Sequence, residues 1–344
     1  MITALTKEIL LPNNFIADTN IETIYIGGGT PSLLSVEELQ FIFNSIQQKF
    51  AVVSDAEITL EANPDDINKT ILAQWKSVGI NRLSVGLQSF NEAELKWMNR
   101  AHNATQSVQC LNDIEAAGFT NYSVDLIYGS PLQSNDDLIK NFNIIAQRNI
   151  PHISCYALTV ENGTTLNKLI KENKSPSINN DKQAEQFQLL LEMMEANGYE
   201  QYEISNFSKP GFRSKHNSSY WQGKPYLGFG PSAHSFDGLN KRRWNVSNNS
   251  LYIQSIEKNI IPYEEEILTD EDCVNEYVMT SLRTVEGINL QIVKQKFGIK
   301  NKERILLGVE KYVAQGKIVC EDSYIRLTKE GKFFADGIAG DLFV

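Results

Sequence analysis

From residue 23 to about residue 206 the chain repeats one pattern of apolar and polar positions: a β-rich run, an abrupt polar or Gly/Pro tip, then helical spacing. Six runs carry it: Thr23–Ile26 before Gly-Gly-Gly-Thr-Pro, Glu57–Glu61 before Ala-Asn-Pro, Arg82–Leu87, Tyr122–Tyr128, His152–Leu158 and Tyr202–Ile204. Between them, apolar residues at spacings of three and four predict helices at about 36–49, 67–77, 91–100, 105–117, 135–147 and 182–197. Strand and helix alternating at this spacing predict an α/β chain whose parallel sheet is joined by crossover helices. Leu83-Ser84-Val85-Gly86-Leu87 reads as a strand covered on both faces. Periodicity does not separate a doubly wound sheet from a barrel, but both place a ligand at the carboxyl ends of the strands. Ser35-x-x-Glu38 and Asn91-x-x-Glu94 read as capping boxes. The chain opens on a helical pattern with apolar positions 2, 5, 9 and 10 and no capping residue before it.

The rhythm breaks at residues 206–240, where Asn206 to Pro231 is rich in Gly, Pro and aromatic residues. It is too aromatic for a solvated linker and is expected to line something. From about residue 266 amphipathic helices follow at 270–283, 289–296 and 303–315, then a hairpin through Gly316–Cys320 and Tyr324–Leu327 and a final helix from Lys329. This predicts a small helical, winged-helix-like C-terminal domain at 266–344, a linker at 241–265 and a main domain at 1–240.

Composition narrows the partners. Of the 344 residues 42% are hydrophobic and 22% charged, with a net charge of -10, which argues against a nucleic-acid partner held by bulk positive charge. No apolar run approaches the roughly 20 residues that cross a bilayer, and with no signal peptide apparent a cytoplasmic protein is expected. Cys110, Cys155, Cys273 and Cys320 are too widely spaced for a local metal motif and are expected to be reduced.

The strand tips carry the candidate chemistry. Gly27, Gly28 and Gly29 remove every Cβ, so a ligand can lie against bare backbone, and Thr30-Pro31 fixes the exit. Glu61 suits an ammonium group or simply ends its strand in solvent, Gln88 offers donor and acceptor, and Arg100 can pair bidentately with a carboxylate or serve a helix C-terminus. Asp125 sits inside an apolar run, where an acid needs a partner such as a diol. Together they suit a zwitterionic amino acid joined to a ribose.

The ordered set IYIGGGTPSLLS, ITLEANP, RLSVGLQSFNEAELKWMNRAH, VDLIYGSP and YEISNFSKPG…KHNSSYW resembles the radical S-adenosylmethionine proteins of the oxygen-independent coproporphyrinogen III oxidase family. The resemblance covers essentially the whole chain and implies an incomplete parallel (β/α) barrel with a small helical C-terminal domain. It implies that Gly27, Gly28 and Gly29 with Glu61 receive the methionyl amine, that Thr30 belongs to the same cofactor site, that Arg100 takes the carboxylate, and that Gln88 and Asp125 serve the ribose.

Lys215–Gln222 contains an HNxxYW pattern similar to that of the heme-chaperone branch of this family, HemW. The resemblance implies heme as ligand and an acceptor protein, which could be membrane-associated, as partner. His216 is then the candidate iron ligand, with Tyr220 and Trp221 packing on the macrocycle and His234 a second candidate. Without the family, His216 would be read as capping its loop.

One departure matters. The family holds a [4Fe–4S] cluster on CxxxCxxC after its first barrel strand, and the match here begins beyond that loop, inside the first helix. The chain as given is therefore expected not to cleave S-adenosylmethionine, whether it is truncated or a cluster-free paralogue. An exposed edge at the glycine strand would favour oligomers such as a dimer. Coproporphyrinogen III oxidation is the alternative function, and a barrel enzyme binding a phosphorylated metabolite at Gly27–Thr30 a third, which the acidic Glu61 and Asp125 disfavour.

Overall fold

The computed structural model describes residues 1–16 and 20–344. In chain order the elements begin with α1 (Ile2–Leu10), β1 (Asn20–Ile26), α2 (Val36–Lys49), β2 (Ala51–Ala62), α3 (Lys69–Ser77), β3 (Arg82–Gln88), α4 (Glu92–Trp97) and α5 (Ala104–Ala116). Next come β4 (Tyr122–Tyr128), α6 (Asn135–Gln147), β5 (His152–Ala157), α7 (Thr165–Lys171), α8 (Asn180–Ala196), β6 (Glu200–Glu203), β7 (Asn206–Ser208) and α9 (Lys215–Trp221). The remainder is β8 (His234–Phe236), β9 (Lys241–Asn245), α10 (Asn249–Glu257), β10 (Tyr263–Ile267), α11 (Asp270–Leu282), β11 (Ile288–Asn289), α12 (Leu290–Phe297), α13 (Ile299–Ala314), β12 (Ile318–Glu321), β13 (Tyr324–Leu327) and α14 (Ala335–Asp341).

Two compact units share the chain: a central unit of Tyr25–Leu34 and Ile58–Arg213, and a terminal unit of Met1–Ile24, Ser35–Glu57 and Ser214–Val344. The seven-stranded sheet has the order β1-β2-β3-β4-β5-β7-β6, with β1 at one edge. β2 through β5 pair in parallel, as the alternation predicted. The expected sixth parallel run is different: β6 and β7 form a hairpin, and β7 pairs antiparallel with β5, so the sheet is mixed.

In the central unit Leu60, Leu83, Val85, Leu87, Val124, Leu126 and Ile153 are buried. The alternate positions carry mostly polar or small side chains, of which Thr59, Ser123, His152 and Ser154 are buried, so much of the second face is covered as well. Glu61, Ser84 and Ser123 align in one row across β2, β3 and β4, and Asp125, Ser154 and Asn206 in the next across β4, β5 and β7. Ser123 Oγ donates to Ser84 Oγ at 3.0 Å and Ser154 Oγ to Asn206 Oδ1 at 2.8 Å, so neighbouring strands pair these hydroxyls across the face.

The Ser35 capping box forms, with Ser35 Oγ accepting from Glu38 N at 3.2 Å and Glu38 accepting from Ser35 N at 2.9 Å. The second does not close. Asn91 Oδ1 caps Ala93 N at 2.9 Å, but the fully buried Glu94 turns inward and accepts from Gln133 Nε2 at 2.9 Å.

In the terminal unit α1 buries Ala4, Thr6, Glu8 and Ile9, whereas Leu10, read as part of its apolar face, is exposed. Glu8 is 2% exposed. Its carboxylate accepts from Gly230 N at 2.8 Å, Asn245 Nδ2 at 2.6 Å and Tyr252 Oη at 2.5 Å, beside a small cluster of Ala4, Tyr252 and Ile256. Residues 241–265, expected as a linker, hold β9, α10 and most of β10. Charge pairing rather than apolar alternation marks these strands, which is why periodicity missed them: Arg243 lies opposite Glu265 and donates to it at 2.6 Å. The C-terminal helices and hairpin form as expected, with a third strand, β11, added to the sheet order β11-β13-β12 around Val278, Ile305, Ile325 and Ile338. Among the described residues no helix is long and apolar enough to cross a membrane.

Candidate functional site

The glycine tip and the acid beside it meet as predicted. Gly28 N donates to Glu61 Oε2 at 3.1 Å. A Cβ on Gly27 would lie 2.9 Å from the Glu61 carboxyl carbon and 2.6 Å from Tyr25 Cε1, so glycine is what lets Glu61 stand against the backbone. Gly28 and Gly29 have φ of 81° and 70°, with nothing within 4 Å of where a Cβ would be. Thr30 is exposed and leads into a 3-10 turn at Pro31–Leu33 without capping it through its side chain.

Tyr25, which no sequence pattern singled out, donates its hydroxyl to Glu61 Oε1 at 2.7 Å. Burial, then the Glu61 charge, pushes its phenol pKa far above the ordinary range, so it stays a donor. Ser32 Oγ ties the glycine tip to the next one by donating to Asp66 Oδ2 at 2.6 Å.

Gln88 ends β3 with φ of 66°, at a register shift against β4. A non-glycine residue held left-handed at a bulge is the kind of strain that re-aims a side chain at a site. Gln88 Nε2 and Arg100 Nη2 both lie over Gly86, 3.1 Å and 3.3 Å from where its Cβ would be. Arg100 Nη2 donates to Asn63 Oδ1 at 3.1 Å and Gly86 O at 3.2 Å, while its buried Nε has no partner among the described residues. Both Nη2 contacts go to the strand-tip region, at Asn63 and Gly86.

Asp125 is part-buried. Desolvation raises its carboxyl pKa to about 6, with the Glu61 charge adding to the rise, while the Ser154 hydrogen bond and the positive charges of Arg82 and Arg100 oppose it. The central unit therefore gathers a carboxylate against bare backbone, a guanidinium, an amide and a second acid. That set suits a zwitterion carrying a diol.

The terminal unit holds the other candidate residues. His216 lies in the first turn of α9, where Ser214 caps by accepting from Asn217 N at 3.2 Å. Its Nδ1 is 2.8 Å from Thr23 Oγ1 and its Nε2 3.1 Å from Tyr220 Oη, with the two rings edge-on at 5.0 Å. Tyr220 is 43% exposed and packs edge-on against Tyr226 at 4.8 Å, and Tyr226 in turn lies 6.4 Å from Phe236. An exposed ring beside an imidazole, backed by further rings, suits a flat apolar ligand with a metal centre.

Trp221 is part-buried, with the Arg283 guanidinium 5.5 Å from its ring centroid. His234 is exposed, stacks on Trp244 at 6.0 Å and lies on β8. Among the described residues no three His, Cys, Asp or Glu side chains come together to hold a metal ion. Cys110 and Cys155 are buried in the central unit, while Cys273 and Cys320 lie in the terminal unit.

Residues 13–145 match the radical SAM superfamily and residues 268–334 the HemN C-terminal domain. The chain is 34% identical to the heme chaperone HemW of Bacillus subtilis, over 98% of this chain and 89% of that protein. It is 31% identical to HemW of Mycobacterium tuberculosis, over 98% of this chain and 85% of that one. Among solved structures, coproporphyrinogen III oxidase (HemN) of Escherichia coli aligns with a TM-score of 0.83 over 99% of this chain and 82% of that one, at 22% identity, a likeness of fold. With relatives of this identity along nearly its whole length, the chain belongs to the HemW family of radical SAM proteins.

Proposed function

We propose that this chain binds heme at the His216 segment and passes it to an acceptor protein in the cytoplasm, on a scaffold whose strand tips bind S-adenosylmethionine. The observation that carries the heme reading is the pairing of the part-buried His216 with Tyr220, whose exposed phenol one ring nitrogen meets at 3.1 Å. A neutral imidazole is a good ligand for heme iron, and the exposed ring offers the macrocycle an apolar contact. The names of the HemW relatives support the same reading.

S-adenosylmethionine would be held by Glu61 and the Gly28 backbone at its amine, by Arg100 at its carboxylate, and by Gln88 and Asp125 at its ribose. The Arg100 Nε, without a partner among the described residues, and the open backbone at Gly28 and Gly29 fit that assignment. Membership of the radical SAM superfamily also implies a [4Fe–4S] cluster. Among the described residues no three His, Cys, Asp or Glu side chains come together to hold one.

Titrating hemin into the purified chain is expected to give a shifted Soret band that weakens at least tenfold in apparent affinity in His216→Ala. An identical spectrum and affinity in both proteins would remove His216 from the site. Incubation with coproporphyrinogen III is expected to yield no decarboxylated product; its appearance would replace the chaperone reading with the oxidase.

A further inference from the structure

Glu57 lies near the middle of β2, is 5% exposed and points its carboxylate at the start of α9. Ser214 Oγ at 3.2 Å, Lys215 N at 3.0 Å and His216 N at 3.0 Å all donate to it. Two of these are amides of the first helical turn, which have no partner inside the helix. Glu57 thus fixes the backbone of His216 itself. Thr23, on β1, fixes the ring through Nδ1 at 2.8 Å.

The two ring contacts allow two tautomers. With the proton on Nε2, the ring donates to Tyr220 and takes a hydrogen bond from Thr23, and Nε2 has no lone pair to give a metal. With the proton on Nδ1, the ring donates to Thr23 Oγ1, and the Nε2 lone pair accepts the Tyr220 hydroxyl proton. Only the second offers iron the Nε2 lone pair, by exchanging the Tyr220 hydroxyl for the metal.

We infer that Glu57 and Thr23 are positioning residues for His216: Glu57 locks the α9 start that carries it, and Thr23 holds the Nδ1–H tautomer, so that Nε2 is the atom presented to a metal-centred ligand. Neither residue touches that ligand. The inference rests on the reading of His216 as a heme ligand, and its tautomer arm can be read without heme. Outer-shell partners of metal-binding histidines affect metal affinity by roughly 10- to 100-fold when removed.

The test uses the full chain with hemin as the probe. Glu57→Gln keeps the shape of the side chain but leaves at least one of these donors facing an amide NH₂; Thr23→Val keeps the shape of threonine without its hydroxyl. Each is expected to weaken hemin binding by about 10-fold and to reduce the low-spin absorption bands at saturation, while neither adds to the loss in a His216→Ala background. Nitrogen-15 spectra of the heme-free chain are expected to show His216 as the Nδ1–H tautomer, with Thr23→Val losing that preference. Hemin affinity and spin state unchanged in both folded variants, alongside a loss in His216→Ala, would overturn the inference alone. An Nε2–H tautomer in the heme-free parent would also overturn it. If His216→Ala binds hemin as the parent does, the heme reading fails and the positioning roles fail with it. Should Glu57→Gln not fold, as judged by circular dichroism, Thr23→Val and the tautomer spectra decide.

Discussion

Gly27→Ala is expected to lower the affinity of the chain for S-adenosylmethionine by about 100-fold, measured by isothermal titration calorimetry. The added methyl would sit 2.6 Å from Tyr25 Cε1 and 2.9 Å from the Glu61 carboxyl carbon. Neither gap admits a carbon atom, so one side chain must leave, and the Tyr25 hydroxyl bond to Glu61 at 2.7 Å is lost with the move. Overpacking of this kind costs about 1–3 kcal/mol, and the upper end corresponds to about a hundredfold in binding. Gly28→Ala provides the contrast. Its φ of 81° strains any L side chain, but nothing lies within 4 Å of the new methyl. It should cost backbone energy of about 1–2 kcal/mol and leave Glu61 in place. If Gly27→Ala binds as well as the parent, Glu61 does not receive the ligand where it stands.

Glu8→Ala is expected to be the most destabilising single change in the terminal unit. Gly230 N and Tyr252 Oη lose their shared acceptor, while Asn245 Nδ2 retains Gly230 O at 3.0 Å. Two buried donors left unpaired cost about 1–3 kcal/mol each, so a total of about 4 kcal/mol and a fall in Tm on the order of 10 °C are expected for a unit of this size. A melting temperature within about 1 °C of the parent would remove Glu8 as an anchor of α1.

The pH dependence separates burial from hydrogen bonding at the same residue. Burial raises the Glu8 pKa, and the hydrogen bonds from Tyr252, Asn245 and Gly230 oppose that rise. The folded state therefore favours the protonated acid. The stability gained from that preference is fully present below the ordinary glutamate value of about 4.3 and is lost as pH rises through the higher folded value. Glu8→Gln, which is neutral throughout, should show a flatter decline in Tm over the same interval. An equally steep decline in both proteins would assign it to another group.

Much of the fold is legible in the sequence because its signals are local. The period of β3, the Ser35 box and the glycines after β1 are each written within a few residues and appear where expected. The β6–β7 hairpin is not legible in this way. Only Ile204 and Ser205 separate its strands, with neither the glycine nor the asparagine that usually marks so tight a turn, and Glu203 holds the turn by accepting from Ser205 N at 3.0 Å. β9 and β10 were hidden because Lys241–Asn245 and Tyr263–Ile267 hold their register by opposite charges.

The candidate site divides along the same line. Gly27, Glu61 and Asp125 carry chemistry that their residue types announce. The left-handed Gln88, the Tyr25 support of Glu61 and the Glu57 hold on α9 depend on groups that meet only after the strands align. His216 was legible as a ligand candidate only through its resemblance to a family, since a histidine among serines has many structural uses.

The placement of the thiols gives the molecule a built-in clock. Cys110 and Cys155 are 1% and 2% exposed in the central unit, and burial pushes the Cys110 thiol up to about 12. Cys273 and Cys320, in the terminal unit, are part-buried and exposed. Since alkylation requires an accessible thiolate, the native chain should take up reagent first at the terminal-unit pair, and the later two additions, located by peptide mass, time the opening of the central sheet. A ligand held at the glycine tip would slow that second phase, so the cysteines report occupancy of a site they do not touch.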